Sequence, residues 1–251
     1  MTNMGQARER QKSHERNIKI VLDSEDKFNK ATLFEDFVYH ADMNLHSLKG
    51  YQHLMDLIFV RSKHLHKPLV DSIRNNNSYI SFVLLKAFWE NTAMLGYVFV
   101  TAKNLMKNKD YTGLLDLAIK NALGGRGFVT DDMLSRSGAT REELTQTNLI
   151  TWMKKVDDNF DRDVAKEKGF SHFEGLYNEF VAECGHSTFL GLSICEERQI
   201  DGSVSIDETK TSQHDDDKMS FNHLALADNY FFHYWDKHEK ELANWLIDLN
   251  K

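Results

Sequence analysis

Three side chains that could do acid–base or metal chemistry lie in the stretch LYNEFVAECGHSTFLGL, residues 176–192. They are Glu179, Glu183 and His186, which a helix turning about 100° per residue places on one flank. One interpretation is an ordinary solvated flank. The other is a covered site, because the apolar pair at 189–190 falls on the same side. Glu183 and His186 also have the ligand spacing of di-metal bundles, although the chain has no second Glu-x-x-His.

A second polar group interrupts residues 79–102, the most apolar long stretch of the chain. Here Lys86 and Glu90 lie four residues apart, so a helix allows them to pair. One interpretation is a structural ion pair, because burying an unpaired charge is costly. The other is a polar pocket inside a helical bundle, walled by Glu90. The residues that would complete such a pocket are His186, or Asp228 and His238 of the final helix.

Further histidines and acidic residues offer weaker candidates. His46, His53 and His64 fall away from the apolar face of their helix, so we expect them to be exposed and to form at most a weak surface metal site. The run HDDD at 214–217 is typical of a solvated loop. We therefore assign no metal site and expect no cofactor.

The elements that must position these residues are helices. The chain of 251 residues contains one proline and almost no alternation of apolar and polar residues, which favours long uninterrupted helices over strands. Periodicity and capping residues predict helical segments at 26–67, interrupted near 42–44 and ended by Pro68; at 78–103, after an N-cap in NNNS; at 111–122; at 140–158, opened by a capping box of Thr140 with Glu143; at 170–194; and at 221–249.

These segments predict a single all-α bundle of five to seven helices over residues 26–251. The helix at 78–103 is apolar nearly all round, so we expect it at the centre of the fold. The polar residues 1–25 are expected to be frayed or only loosely docked.

The charge of the chain is concentrated in one segment. The net charge is −7, and residues 196–220 carry eight acidic and three basic side chains. That segment is predicted to be an acidic, flexible insertion before the last helix, with a hairpin turn at Asp201-Gly202. The totals show no strongly basic face, which argues against tight binding of duplex nucleic acid but leaves room for a local basic patch.

Cysteine usage and hydropathy bear on the compartment. Cys184 and Cys195 are eleven residues apart, which indicates neither a disulfide framework nor a metal-binding pair. The first sixteen residues lack the apolar core of a secretory signal. The stretch 79–102 is long enough to span a membrane, but Lys86 and Glu90 lie near its middle. We expect a cytoplasmic protein without a membrane segment.

The final helix carries an apolar stripe with steps of four and three residues. Such a heptad pattern suits either the core of a bundle or the face of a dimer, because both need the same spacing. We expect a homodimer, without assigning its face to particular helices. The stripe consists of Phe231, Trp235, His238, Leu242, Trp245 and Leu249.

Two segments of the chain resemble a known group of proteins. They read SFVLLKAFWENTAMLGYVF and HFEGLYNEFVAECGHST. They resemble uncharacterised prokaryotic helical domains that carry a Leu-Leu-Arg-x-x-x-Glu helix and a later Tyr…Ser-x-x-x-His helix. Those domains are discussed beside HEPN-like and abortive-infection proteins, so the resemblance implies an all-α fold and action on RNA or a nucleotide.

The resemblance also implies catalytic positions. Carried over residue by residue, they are Glu90, Tyr177 and His186. Lys86 stands where the group usually has Arg, and Ala182 stands where it usually has Ser. No Arg lies four to six residues before His186, which is the spacing of HEPN ribonucleases. Arg61 and His66 have that spacing on an earlier helix, where a chain with twelve histidines offers matches by chance.

These observations predict a leading function and two alternatives. We expect a bacterial HEPN-like helical protein, a defence or toxin–antitoxin component that binds or cleaves RNA or binds a nucleotide, with Lys86, Glu183 and His238 as ligand-binding residues. One alternative is a non-enzymatic module that dimerises or binds a partner, which the stripe and the acidic insertion favour. The other is a metal-dependent helical-bundle enzyme built on Glu90, Glu183 and His186.

Overall fold

The computed structural model describes residues 3–31, 40–123, 148–160, 173–185, 193–199, 203–207, 209–213 and 216–249. This part of the chain contains seven helices, a short 3₁₀ turn and one two-stranded sheet, so the predicted all-α class is confirmed. The helices are α1 (Asn3–Lys30), α2 (Met43–Arg74), α3 (Ser78–Lys107), α4 (Tyr111–Leu123), α5 (Leu149–Asn159), α6 (residues 173–185) and α7 (Asp216–Leu249). The 3₁₀ turn is Ser193–Cys195, and the strands are β1 (Glu196–Arg198) and β2 (Val204–Ile206).

The N-terminal residues form a helix where the sequence predicts a frayed segment. α1 is helical from Asn3 to Lys30. Val21, Ser24 and Phe28 are buried, and their spacing of three and four residues places them on one face. The apolar face is short and most other residues of the helix are polar or charged, which is why composition alone suggests fraying.

The start of α2 matches the break predicted near 42–44, although α1 already ends at Lys30. The backbone N–H groups of Asn44 and Leu45 donate to Asp42 Oδ1 at 2.8 and 3.1 Å. This side-chain cap satisfies two donors that the first turn leaves without helical partners. α2 therefore begins at Met43.

The predicted end of α2 at Pro68 is wrong, because the helix continues to Arg74. A proline inside a helix leaves the carbonyl four residues earlier, here that of His64, without its intrahelical donor. Both Pro68 and His64 are exposed, so water can hydrate this part of the backbone. Beyond the proline, Leu69 and Val70 are fully buried, and their packing outweighs the lost hydrogen bond.

α3 has the cap and the burial that the sequence predicts. The backbone N–H of Ile80 donates to Asn77 Oδ1 at 3.2 Å. All residues from Asn91 to Gly96 are buried, which confirms that the middle of the helix is covered all round. Among the described residues, no helix has the length and apolar character needed to cross a membrane.

α5 begins later than the predicted segment at 140–158. Its N-cap is Asn148, whose Oδ1 accepts the backbone N–H of Thr151 at 2.9 Å. The capping box predicted at Thr140 and Glu143 lies outside the described residues.

α6 is a composite helix rather than the uniform one predicted at 170–194. It consists of Phe173–Leu176, a π-helical turn at Tyr177–Val181, and Ala182–Gly185. The predicted segment also includes the first two residues of the 3₁₀ turn Ser193–Cys195.

The described part of the acidic insertion is tied down by hydrogen bonds. β1 and β2 pair antiparallel with Glu196 opposite Ile206, as the hairpin-turn signal predicts. The backbone N–H of Ser78 donates to the carbonyl of Thr211 at 2.8 Å. Gln213 Nε2 donates to the carbonyl of Glu196 at 3.0 Å. The first contact attaches the insertion to the start of α3, and the second joins two parts of the insertion. The sequence predicts this insertion to be flexible.

α7 buries its apolar stripe within the chain itself. The helix begins at Asp216, five residues before the predicted start, and Asp216 Oδ2 accepts the Ser78 hydroxyl at 2.8 Å. The five stripe residues from Phe231 to Trp245 are all buried. Of the two interpretations of the heptad pattern, the core of a bundle therefore applies to this stripe, and the face of a dimer does not.

The chain divides into two compact units. Unit 1 consists of Met1–Ala31, Arg61–Thr92 and Lys168–Phe232, and unit 2 of Thr32–Val60, Ala93–Glu167 and His233–Lys251. The helices α2, α3 and α7 contribute residues to both.

Each unit has an aromatic core. In unit 1, Phe28 contacts Phe231, with ring centroids 5.2 Å apart. In unit 2, Trp235 lies 4.3 Å from Phe59, and Trp245 lies 5.7 Å from Tyr51. Aromatic pairs at these distances add packing energy beyond the area that they bury.

Candidate functional site

Three polar side chains of unit 1 meet at one carboxylate oxygen. Tyr177 Oη of α6 donates a hydrogen bond of 2.7 Å to Glu90 Oε1 of α3, and Lys86 Nζ lies 3.1 Å from the same oxygen. The side chains of Lys86 and Glu90 are 20% and 30% exposed, so a ligand can reach both. We call Lys86, Glu90 and Tyr177 the Glu90 cluster.

The local structure of α3 and α6 brings this cluster together. Lys86 and Glu90 are one helical turn apart on α3, which places them side by side. α6 can approach because Gly185 has no side chain. A Cβ at that position would lie 2.7 Å from Lys86 Cδ and 2.8 Å from Lys86 Cβ. Gly185 thus allows the end of α6 to pack against the stem of Lys86.

Tyr177 lies at the start of a π-helical turn. Its carbonyl accepts the backbone N–H of Ala182, five residues further on. Such turns are rare, and they occur frequently at functional sites. Here the turn changes the helical register between Tyr177, which reaches Glu90, and Gly185, which contacts Lys86.

Burial and Glu90 together fix the protonation state of Tyr177. Burial, the larger cause, and the hydrogen bond to the Glu90 carboxylate raise the pKa of Tyr177 far above its ordinary value of 10.0. The phenol therefore stays protonated at neutral pH and acts as a hydrogen-bond donor. Glu90 Oε2 has no hydrogen-bond partner among the described residues, so it is the acceptor that the cluster offers to a ligand.

Aromatic side chains pack around the two elements that carry the cluster. Phe173 of α6 stacks on Trp89 of α3, with ring centroids 4.6 Å apart. Phe180 in the π turn stacks on His223 of α7 at 4.3 Å. Burial lowers the pKa of His223, so its ring is neutral at pH 7. No spacing in the sequence marks His223 as part of this region.

The flank of acidic residues on α6 does not join the cluster. Glu179 and Glu183 are both exposed, which agrees with the interpretation of a solvated flank. His186 lies outside the described residues, so its predicted catalytic role stays a prediction. Within the part of the chain that the structure describes, no three potential ligands lie close enough to hold a metal ion.

His238 and Asp228 have partners other than Glu90. His238 is fully buried in unit 2, where its Nδ1 lies 2.9 Å from Tyr51 Oη. Burial lowers the pKa of His238 to about 3, so the imidazole is neutral. Asp228 pairs in unit 1 with His66. These contacts make His238 a hydrogen-bonded residue of the core of unit 2.

The His66–Asp228 pair is a feature that the sequence does not single out. His66 Nε2 lies 3.1 Å from Asp228 Oδ2, and the two side chains are 1% and 0% exposed. Burial, the largest cause, raises the pKa of Asp228, while His66 and the Ser24 hydroxyl act in the opposite direction. Helical spacing places His66 on one face with Ser62 and Leu69, which are also buried. The spacing therefore indicates the burial of His66 but not its partner.

The other histidines of α2 differ in their exposure to solvent. His53 and His64 are exposed, as predicted, but His46 is half-buried. Arg61 is exposed while His66 is buried, so the chance Arg–His match does not form a pair on the surface.

Comparison of the chain with protein-family models, with curated proteins and with solved structures finds no match in any of the three. The resemblance to HEPN-like domains therefore stays a prediction. The geometry of the Glu90 cluster is the basis on which a function can be assigned.

Proposed function

We propose that this chain is a bacterial HEPN-like helical protein that binds RNA or a nucleotide at the Glu90 cluster, and that it works in the cytoplasm as a defence or toxin–antitoxin component. The observation that carries the proposal is the hydrogen bond of 2.7 Å between Tyr177 Oη and Glu90 Oε1. It joins two of the three positions that the resemblance implies, although they are 87 residues apart in the sequence.

The cluster offers complementary groups for a nucleotide. The Lys86 ammonium provides a positive charge for a phosphate group. Glu90 Oε2 can accept a hydrogen bond from a ribose hydroxyl or from the amine of a base. Tyr177 holds the carboxylate in place, so less freedom is lost when a ligand binds. Because Lys86 and Glu90 are partly exposed, binding requires no opening of the core.

The described residues support binding more directly than cleavage. Strand cleavage by acid–base catalysis needs a base whose pKa lies near the working pH. Tyr177 does not qualify, because its raised pKa keeps the phenol protonated. The residue of the right type is His186, which lies outside the described residues. Cleavage therefore depends on His186, whereas binding depends on Lys86, Glu90 and Tyr177.

Expression of the chain in a bacterial host tests this proposal. We expect the wild-type protein to arrest growth, and we expect Glu90→Gln and Tyr177→Phe to relieve the arrest because the ligand is no longer recognised. The matched control is Glu241→Gln. Glu241 is ion-paired with Lys103 at 2.9 Å, and its side chain has the same 30% exposure as that of Glu90.

The variant His186→Ala separates cleavage from binding in the same experiment. Relief of the arrest by His186→Ala, with RNA binding by the purified variant retained, would assign cleavage to His186. A wild-type protein that leaves growth unaffected and cellular RNA intact contradicts the defence or toxin setting. Equal relief by Glu241→Gln contradicts the assignment of the Glu90 cluster.

A further inference from the structure

A second site lies in unit 1, at the proline inside α2. A cavity of about 210 Å³ is lined there by residues of α1 and α2, including Pro68. None of its lining residues belongs to the Glu90 cluster, and its occupant does not depend on the proposed function. We call it the Pro68 cavity.

The α2 wall of the cavity is cationic. Lys63 and Lys67 both line it, and they are four residues apart, so they lie side by side on the helix. Like charges at this spacing repel each other. Neither lysine is in an ion pair within the described part of the chain. An anion held between them would remove the repulsion.

A buried histidine, His66, also lines the α2 wall. His66 lines the cavity although it is only 1% exposed. Its Nε2 is held by Asp228 at 3.1 Å, so the ring has a fixed orientation. Its Nδ1 has no hydrogen-bond partner among the described residues. When Nε2 donates to Asp228, Nδ1 is left as an acceptor, and a hydroxyl group of a ligand can satisfy it.

The α1 wall carries hydrogen-bond acceptors instead of positive charges. Glu25 and Asn29 line it from positions one helical turn apart, with Phe28 between them in sequence. A carboxylate and an amide oxygen accept hydrogen bonds, and Glu25 repels an anionic group. A ligand must therefore place its anion against α2 and its hydroxyl groups against α1.

The size of the cavity limits the occupant. Pockets that hold drug-sized ligands measure roughly 300–1,000 Å³, and this cavity, at about 210 Å³, is smaller. The space suits a phosphate group on a short polyol better than a complete nucleotide.

We propose that the Pro68 cavity binds a small phosphate monoester that carries hydroxyl groups, a sugar phosphate in chemical class. Its phosphate contacts Lys63 and Lys67, and its hydroxyl groups donate to His66 Nδ1, Glu25 and Asn29. Asp228 acts as a positioning residue, because it holds the His66 ring from behind without reaching the cavity wall.

Calorimetric titration of the full chain with ribose 5-phosphate tests the assignment, with inorganic phosphate and ribose as comparison ligands. We expect ribose 5-phosphate to bind about tenfold more tightly than inorganic phosphate, because both walls are used. Ribose alone should give no measurable heat. Absence of ribose 5-phosphate binding at millimolar concentration, or equal affinity for inorganic phosphate, overturns the proposal.

Variants assign the binding to the two walls. Lys67→Gln should weaken both phosphate ligands about tenfold, while Glu25→Gln should weaken ribose 5-phosphate only. Lys19→Gln is the matched control, because Lys19 is an exposed lysine on α1 that does not line the cavity. Lys67 is exposed too, so both variants should fold. Equal affinities for Lys67→Gln and Lys19→Gln overturn the proposal.

The two proposals of a ligand site can be told apart in the same titration. Glu90→Gln should leave unchanged the ribose 5-phosphate binding step that Lys67→Gln weakens, because Glu90 does not line the Pro68 cavity; binding of the same ligand at the Glu90 cluster would be a separate step. A loss of that binding in Glu90→Gln would assign the ligand to the Glu90 cluster instead and overturn the separate site.

Discussion

Burial decides the protonation state of His238 more than any charged neighbour does. Burial alone lowers the pKa of His238 to about 3, because the interior disfavours the imidazolium. The neutral ring shares a hydrogen bond of 2.9 Å with Tyr51 Oη. Burial likewise raises the pKa of Tyr51 well above its usual range, so both partners stay uncharged. The pair therefore stabilises unit 2 without a buried charge.

Because the His238 imidazole is neutral in the folded protein, we predict that acid lowers the stability of the protein and that His238 causes part of this loss. Between about pH 6.5 and pH 3 the unfolded chain binds a proton that the folded imidazole does not, so stability falls as the pH falls. The loss should reach up to about 4 kcal/mol near pH 3. His238→Gln cannot take up this proton. The variant should be less stable by about 1–3 kcal/mol at pH 7 but should have a flatter pH profile.

Urea unfolding of both proteins from pH 7 to pH 4 measures this difference. The subtraction removes other titrating groups, because they are common to the two chains. A gap between wild type and His238→Gln that stays constant over this range would show that His238 is not the group concerned.

At the residue scale, the sequence predicts what is local. Lys86 and Glu90 pair because a helix places residues four apart side by side, and this follows from the spacing alone. The contact between Tyr177 and Glu90 joins two helices, and only the resemblance suggests it. The His66–Asp228 pair crosses 162 residues of sequence, so no periodicity can predict it.

At the element scale, two glycines show how closely the helices approach. A Cβ at Gly96 of α3 would lie 2.7 Å from Val156 Cγ2 of α5 and 3.0 Å from the Tyr234 ring of α7, whereas a Cβ at Gly175 of α6 would meet nothing within 4 Å. Close packing in unit 2 therefore requires glycine at position 96, and the packing of unit 1 sets no such requirement at position 175.

The two alanine variants should change stability in opposite directions. Gly96→Ala should destabilise the protein by about 1–3 kcal/mol, because the added methyl group displaces packed side chains. Gly175→Ala should be neutral or stabilising by about 0.5–1 kcal/mol, because alanine favours the helix. Thermal unfolding of both variants beside wild type provides the comparison. A Gly96→Ala variant as stable as Gly175→Ala would contradict the close approach at Gly96.

The observed helix boundaries show which predicted helix ends agree with the structure. The cap at Asn77 acts as the sequence predicts, because capping depends on residues within one turn. The end at Pro68 is wrong, because packing of the following turn outweighs a local preference. Helical periodicity does not reveal the π turn at Tyr177–Val181.

At the scale of the whole molecule, the stripe on α7 bears on assembly. Its residues from Phe231 to Trp245 are buried within the chain, so the heptad pattern no longer favours a dimer face. The homodimer stays a prediction that needs another surface. The all-α class follows from composition and periodicity, but the division into two units does not, because α2, α3 and α7 run without interruption through residues of both.

The central claim is that the Glu90 cluster binds RNA or a nucleotide. Polarisation titration of a labelled single-stranded RNA, over a range of salt concentrations, tests it most directly in Lys86→Gln. Lys103→Gln is the matched control, because Lys103 lies on the same helix and also pairs with a glutamate, Glu241. We predict that Lys86→Gln weakens binding about tenfold and makes the salt slope shallower by about 0.7, while Lys103→Gln binds as wild type. Equal affinity and equal slope in the two variants would contradict the claim.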